Sequence, residues 1–274
     1  MGGQRVDVWI DAAATHARPP AGVAGADPAT YGLLGLRFHA QGRRGAELGF
    51  GLERGQSADA AGGSWLAGQI GAGYGARLGP LRAAAQLEGF GLRYREPFDH
   101  TIYGLTVRPE LARSGGRLPI VARGELTRGS WRTVVERETG PPLPPVLSRR
   151  DSTVTGRLAL TGGSLSVARG LGPAWVQAGA EAYRSESGSA FDGWYRGASA
   201  AVGAGTGRTQ GSLQLRWWWT PAGAELGYTA NLAVTLAPGL ELRVSGGRAV
   251  RDPLYGTAGS VAASVGLSWR AGPG

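Results

Sequence analysis

Apolar and polar residues alternate along most of this chain, and the alternation restricts the fold more than any other feature. Residues 225–236 show it clearly. Every second residue there is apolar or small: Leu226, Tyr228, Ala230, Leu232, Val234 and Leu236. A period of two is the period of a β-strand, in which successive side chains point to opposite faces of the sheet. The sequence therefore predicts an all-β protein whose strands each have an apolar face.

Turn residues divide the chain into segments of about a dozen residues, and we count about 14 of them, with 12 or 16 as the alternatives. Connections after even-numbered segments are short, as at Leu78-Gly79-Pro80, whereas those after odd-numbered segments are mostly longer. A strand that crosses a bilayer at a tilt needs roughly 9–11 residues. We therefore predict a single closed antiparallel transmembrane β-barrel, formed by residues 1–274 as one domain.

Two places interrupt the regular pattern. At Gly162-Gly163 the apolar parity shifts from Leu158 and Leu160 to Leu165 and Val167, which predicts a bulge within one strand or an additional hairpin. Pro109 has no amide donor for a sheet ladder, so we expect a bulge near the barrel rim there.

The composition is compatible with this fold. No apolar run approaches the 18 or so residues of a membrane helix, and the mean hydropathy of −0.14 suits strands that are apolar on one face only. Cysteine is absent, which excludes disulfide bonds and thiolate metal sites.

The final strand, Val261 to Trp269, is amphipathic and ends in an aromatic residue. With the alternation, the strand number and the unequal connections, the whole chain resembles the bacterial outer-membrane β-barrel proteins as a class. The resemblance implies short periplasmic turns, longer external loops and a location in the bacterial outer membrane. Residues Met1 to Arg5 lack the features of an export signal, so we expect such a signal to have been removed.

Aromatic residues near the predicted strand ends suit the two membrane interfaces, where Tyr and Trp are enriched. On the loop side they are Trp65, Tyr94, Tyr103, Tyr183, Trp194, Tyr195, Trp217, Trp219 and Tyr228; on the turn side they are Tyr74, Trp175 and Trp269. Aromatic packing in a soluble β-sandwich is the alternative, but a sandwich should show fewer and less uniform alternating segments.

The formal charge of +9 comes entirely from arginine, since the chain has no lysine. The arginines are scattered along the strands and form no basic stripe, so we predict no nucleic-acid binding. A mixed-charge barrel interior and a surface facing anionic lipid head groups account for them.

If the apolar parity faces lipid, the polar parity lines the lumen. We expect the apolar set Leu226, Leu232, Val234, Leu242, Val244, Val261 and Val265 to face lipid. The predicted lumen-lining residues are Arg37, His39, Glu47, Glu88, Arg108, Arg123, Glu125, Arg157, Glu181, Arg216, Glu225 and Arg243. Arg and Glu occur together, so we expect cross-strand ion pairs on the inner wall. These pairs either determine which solutes pass through the lumen or only stabilise its inner wall.

The favoured function is a pore or facilitator for small polar solutes, with a tendency toward anions because of the net charge. No enzyme is predicted, since only His16, His39 and His100 could act as imidazole bases. A hydrolase with Asp99-His100 near Ser57 or Ser185 is a less favoured alternative. No cofactor and no metal site is predicted.

The third hypothesis is a structural or adhesive barrel. The two segments around residue 140 are about twice as long as a membrane requires, so residues 127–150 are predicted to form a protruding external hairpin with a proline-rich, arginine-rich tip. Such a hairpin could bind an extracellular partner or an anionic polysaccharide.

Overall fold

The computed structural model describes residues 5–18, 29–42, 45–58, 63–95, 99–113, 118–137, 150–188, 192–254 and 260–271. Within these ranges the chain forms 14 strands and no helix. They are β1 Arg5–Arg18, β2 Ala29–Gln41, β3 Ala46–Ser57, β4 Ser64–Leu78, β5 Leu81–Arg95, β6 Asp99–Arg113, β7 Ile120–Arg137, β8 Arg150–Leu171, β9 Ala174–Ser185, β10 Gly193–Thr206, β11 Thr209–Thr220, β12 Gly223–Ala237, β13 Leu240–Arg248 and β14 Val261–Ala271.

Each strand pairs antiparallel with its neighbours in sequence, and β1 pairs with β14 to close the sheet. The register at the closure runs from Val8 opposite Ala271 to Arg18 opposite Val261. The predicted closed antiparallel barrel of about 14 strands is therefore confirmed. No helix in the described part of the chain is long and apolar enough to cross a membrane.

The two ends of the barrel differ as predicted. At the end we call the turn end, several hairpins close with two residues, and Gly79, Gly172 and Gly239 adopt positive φ angles of 63°, 69° and 77°. Glycine adopts this conformation without the steric penalty that a Cβ atom brings. The opposite end, which we call the loop end, carries the longer connections, with the two-residue turn at 221–222 as an exception.

The bulge expected in β6 and the bulge or additional hairpin expected in β8 are both wrong. The register between β7 and β8 is continuous from Ile120–Val167 to Arg137–Arg150, and that between β8 and β9 is also unbroken, so Gly162-Gly163 is neither a bulge nor a hairpin. A Cβ atom at Gly163 would collide with the Arg123 carbonyl oxygen, which explains glycine there. At Pro109 the β6–β7 ladder loses two residue pairs, but the register is the same on both sides of the gap.

The outer surface of the barrel is apolar. Large apolar side chains on this surface are strongly exposed, with Leu34 and Ile70 both at 59%. The residues predicted to face lipid lie on this outer face, since Leu232 pairs with Val244, Val234 with Leu242, and Val244 with Val265. A continuous exposed apolar band of this kind is the surface of a protein surrounded by hydrocarbon.

The buried core lies inside the barrel, toward the loop end. Its apolar members are Ile102, Leu158, Leu160, Tyr195 and Trp218. Thr106 and Thr127 are buried beside them and share a hydrogen bond of 2.9 Å between their hydroxyl groups.

Candidate functional site in the barrel lumen

Directly paired residues on neighbouring strands point to the same face, so the register assigns each predicted lumen residue to a side of the wall. The predicted residues other than Arg157 share the inner face with the fully buried Trp218 and Thr127. The chain of pairs runs, for example, from Trp218 to Gly197, Glu181, Ser164 and Arg123. Their placement in the lumen follows from the alternation that the sequence shows.

Arg157 is the exception. It pairs with Ser130 of β7, and its neighbours Leu158 and Leu160 pair with Gly129 and Thr127 on the inner face. The side chain of Arg157 therefore points outward, and the prediction that it lines the lumen is wrong. The reason is that the apolar parity on the loop-end half of β8 belongs to the buried interior and not to the lipid side.

Most lumen charges are paired with each other. Arg108 lies between two glutamates, with Nη1 2.9 Å from Oε2 of Glu88 and Nε 3.5 Å from Oε2 of Glu125. Further ion pairs join Arg37 to Asp11 at 2.7 Å, Arg123 to Glu110 at 2.7 Å, Arg216 to Glu181 at 2.9 Å, Arg243 to Glu241 at 2.6 Å, Arg270 to Asp7 at 2.6 Å and His39 to Glu47 at 4.0 Å. Most of these pairs join different strands and so hold the inner wall together, whereas Arg243 and Glu241 both belong to β13.

The lumen carries no excess of positive charge. Carboxylates that the register places on the inner face are Asp7, Asp11, Glu47, Glu53, Glu88, Glu110, Glu125, Glu181, Glu225 and Glu241. Guanidinium groups described on the same face are fewer: Arg37, Arg77, Arg82, Arg108, Arg123, Arg216, Arg243 and Arg270. Within the described ranges, the lumen therefore gives no electrostatic preference for anions.

Several cavities lie along the lumen within the described ranges, and two of them meet near its middle. The larger, about 920 Å³, lies toward the turn end and is bordered by Trp175 and Thr206, and the second, about 500 Å³, lies toward the loop end. Asp11, Arg37 and Glu53 border both cavities, and we call these three residues the waist. Arg37 donates two hydrogen bonds to Asp11, of 2.7 and 3.0 Å, which keeps its guanidinium group at this junction.

The loop-end cavity is lined by charged and by apolar side chains, which follow each other along the same strands, as Glu88, Phe90 and Leu92 do on β5. We call Phe90, Leu92 and Leu160 its apolar wall, and Tyr183, Trp218 and Leu254 also border the cavity. Phe90, Leu92 and Leu160 are not among the predicted lumen residues, because the prediction assigned apolar residues to lipid. The signal that could have found them is the parity change in the loop-end halves of β5 and β8. The cavity can receive a small molecule that has both an apolar and a polar part.

The aromatic residues divide between the two faces. Tyr103, Trp194, Trp217, Trp219 and Tyr228 of the loop-side set, and Tyr74 and Trp269 of the turn-side set, lie on the outer face, as predicted. The prediction is wrong for Trp65, Tyr94, Tyr183, Tyr195 and Trp175, which the register places on the inner face. Five of these twelve aromatic side chains therefore line the lumen and do not contact the membrane interface.

A cluster around Trp218 brings charged and aromatic side chains together in the lining of the loop-end cavity. Trp218 donates Nε1–H to Oε1 of Glu181 at 2.6 Å, and the Arg216 guanidinium lies 5.2 Å from the centroid of the Trp218 ring. Tyr183 stacks on Trp218 at 6.1 Å, and Tyr195 meets it edge-on at 5.7 Å. The cluster therefore holds Glu181 and Arg216 in fixed positions beside an aromatic surface.

The chain after β13 turns into the lumen. We call residues 249–254 the inturned segment, and Asp252, Pro253 and Leu254 border the loop-end cavity. Glu225 of β12 holds it, because its carboxylate accepts hydrogen bonds from the backbone N–H of Arg251 at 2.7 Å and from Nε of Arg251 at 3.1 Å. Gly227 leaves space for this turn, since a Cβ atom there would lie 2.8 Å from Cγ1 of Val250.

Asp99 and His100 point to opposite faces of β6. Asp99 accepts two hydrogen bonds from Arg93. His100 lies inside, 2.6 Å from the Thr133 hydroxyl. Asp99 therefore cannot orient His100 as a catalytic base. Among the described residues, no group of three or more His, Asp or Glu side chains could hold a metal ion.

Comparisons with known proteins agree with the fold. The Pseudomonas putida toluene transporter TodX is 8% identical to this chain in sequence. The structural match covers 98% of this chain and 89% of the TodX chain, with a TM-score of 0.57. The monoaromatic hydrocarbon channel CymD is 10% identical, with 98% and 88% covered and a TM-score of 0.55. OmpF from Salmonella typhi is 9% identical, with 97% of both chains covered and a TM-score of 0.50. No family model and no curated protein matches the sequence.

Proposed function

We propose that this protein is a passive outer-membrane channel for small molecules that combine an apolar, preferably aromatic, part with a polar group. The observation that carries the proposal is the loop-end cavity, in which Phe90, Leu92 and Leu160 lie beside paired charges such as Glu88 and Arg108. A volume of about 500 Å³ is in the range of small-molecule sites. The fold shared with the toluene transporter and the hydrocarbon channel supports transport in general.

The anionic preference suggested by the sequence is not part of this proposal. It rested on the net charge of +9, but the described carboxylates outnumber the guanidinium groups in the lumen. A pore for small polar solutes remains the second candidate, because the waist formed by Asp11, Arg37 and Glu53 is charged. No catalytic role is proposed.

Swelling of proteoliposomes in isosmotic amino acids distinguishes the two candidates. These zwitterions cross lipid poorly, so entry reports the channel. A simple polar pore should admit serine fastest, glutamine next and phenylalanine slowest, in order of size. We expect phenylalanine to enter at least as fast as serine, because its ring can occupy the apolar wall. Entry rates that fall from serine through glutamine to phenylalanine would contradict the proposal. No swelling with any of these solutes would favour the structural or adhesive hypothesis.

Leu160→Asn tests the apolar wall directly. We expect this variant to slow phenylalanine several-fold and to leave serine unchanged, since one polar group removes the apolar surface without closing the waist. Leu78→Asn is the matched control, because Leu78 is exposed on the outer face beside the Gly79 turn. Heat-modifiable migration on gels checks that both variants fold. An equal slowing of both amino acids would show that Leu160 affects only the shape of the pore.

A further inference from the structure

Arginine side chains gather on the outer face near the loop end. Arg93 and Arg95 of β5, Arg128 and Arg132 of β7, and Arg157 of β8 all point outward, and we call them the arginine patch. Arg93 and Arg132 both lie opposite Thr101 of β6, in one row across the sheet. Arg157 lies opposite Ser130, so it is diagonal to both Arg128 and Arg132, at a spacing of roughly 7–8 Å.

The patch carries little compensating negative charge. Asp99 is paired with Arg93 at 2.9 Å, and Arg95 and Arg132 add to the positive field around it. No described carboxylate forms an ion pair with Arg128, Arg132 or Arg157. Arg128 donates to neutral oxygens only, the Thr127 carbonyl at 3.0 Å and the Thr161 hydroxyl at 3.3 Å. These guanidinium groups can therefore bind an anion from outside the protein.

The apolar band borders the patch on the side of the turn end. Leu126 precedes Arg128 on the same face of β7 and is 42% exposed, and Leu105, which lies opposite Arg128 on β6, is 57% exposed. A group just beyond the hydrocarbon layer of a bilayer meets the phosphates of lipid head groups. Guanidinium groups bind phosphate with two parallel hydrogen bonds, and the hydroxyls of Thr101 and Ser130 lie between them.

We propose that the arginine patch binds the phosphate groups of an anionic lipid in the leaflet at the loop end. This inference rests on the membrane location proposed above but not on the transport of any solute. The patch continues the lipid-contacting surface, and its charge is opposite to that of a phosphorylated head group, so a lipid is the occupant that both features fit. The lipid would fix the depth of the barrel in the membrane and the base of the β7–β8 hairpin.

Lipid retention by purified protein tests this proposal. The probes are nanodiscs of phosphatidylcholine that contain either bisphosphorylated lipid A or its monophosphorylated form, and the lipid that remains bound is measured by native mass spectrometry. We expect the bisphosphorylated form to bind more tightly to the unaltered protein. The triple variant Arg128→Gln, Arg132→Gln and Arg157→Gln should bind it at least about tenfold more weakly.

The matched control is Arg113→Gln, Arg169→Gln and Arg208→Gln, which removes the same charge near the turn end. We expect this control to bind lipid A as the unaltered protein does, and both triple variants to keep their rates in the swelling assay. Equal loss in both variants would show a general charge effect and overturn the proposal. It would also be overturned if inorganic phosphate displaced the lipid at equal concentration, or if a soluble anionic polysaccharide bound the patch and lipid A did not.

Discussion

Glu181 is the residue on which the Trp218 cluster depends. Its side chain is 8% exposed and contacts both the Trp218 N–H and the Arg216 guanidinium, which is itself 40% exposed. The sequence placed Glu181 and Arg216 in the lumen but not Trp218, Tyr183 or Tyr195, because the strand period identifies a face and does not reveal which side chains meet across the barrel.

Glu181→Gln should lower the free energy of unfolding by about 1–3 kcal/mol, because it leaves Arg216 beside a neutral amide. The loss is smaller than for a fully buried pair because water reaches Arg216. Urea unfolding in detergent micelles, followed by tryptophan fluorescence, measures the change. Glu241→Gln is the control, since Glu241 and Arg243 form an exposed pair that should contribute less than about 1 kcal/mol. A loss of the same size in the control would argue against the cluster.

The inturned segment is an element that the alternation does not predict. The alternation predicts a thirteenth strand over about 240–251, but β13 ends at Arg248, opposite Tyr228. Its neighbour β12 continues further toward the loop end, as far as Gly223. Ala249 donates its N–H to the Ser260 carbonyl at 2.9 Å, which joins the two ends of the connection. A local pattern cannot report that Glu225, 26 residues earlier, holds this segment inside.

Glu225→Ala should increase the single-channel conductance, by up to about twofold, and make it noisier. The variant removes the acceptor of both bonds from Arg251, so Asp252, Pro253 and Leu254 are held less tightly at the cavity wall. Planar bilayer recordings measure the effect. Glu186→Ala is the control, because Glu186 pairs with Arg184 outside the lumen. Conductance that matches the unaltered channel would show that other contacts hold the segment.

The β7–β8 hairpin extends beyond the rest of the barrel, although less of it is free than predicted. On one side, residues 127–134 of β7 still pair with β6, up to Asp99 opposite Val134. On the other side, β9 ends at Ser185, which pairs with Leu160 of β8. Beyond these points β7 and β8 pair only with each other, up to Arg137 and Arg150. The tip, 138–149, lies outside the described residues, so its external binding role stays a prediction.

Replacement of residues 138–149 by Asn-Gly should leave assembly and conductance unchanged. The barrel closes through the paired residues 120–134 and 153–171, and their ladder does not require the tip. Heat-modifiable migration and bilayer conductance test this expectation. An increase in conductance would place the tip in the lumen, and failure to assemble would show that it contributes to folding.

The sequence by itself determined the strands and their two faces. The turn residues predict strands over about 64–78, 81–95 and 209–220, and β4, β5 and β11 have these bounds. All predicted lumen residues except Arg157 lie on the inner face. Alternation is a property of each strand alone, so it can be read from the sequence without knowing which strands are neighbours.

Only the tertiary structure decided what each face contacts. An apolar residue suits either lipid or a packed interior, so Leu158 and Leu160 could be assigned only once β7 and β9 were seen beside β8. The same holds for Arg157, for the inturned segment and for the closure of β1 on β14. These features depend on contacts between residues far apart in the chain, and a two-residue period carries no information about such distances.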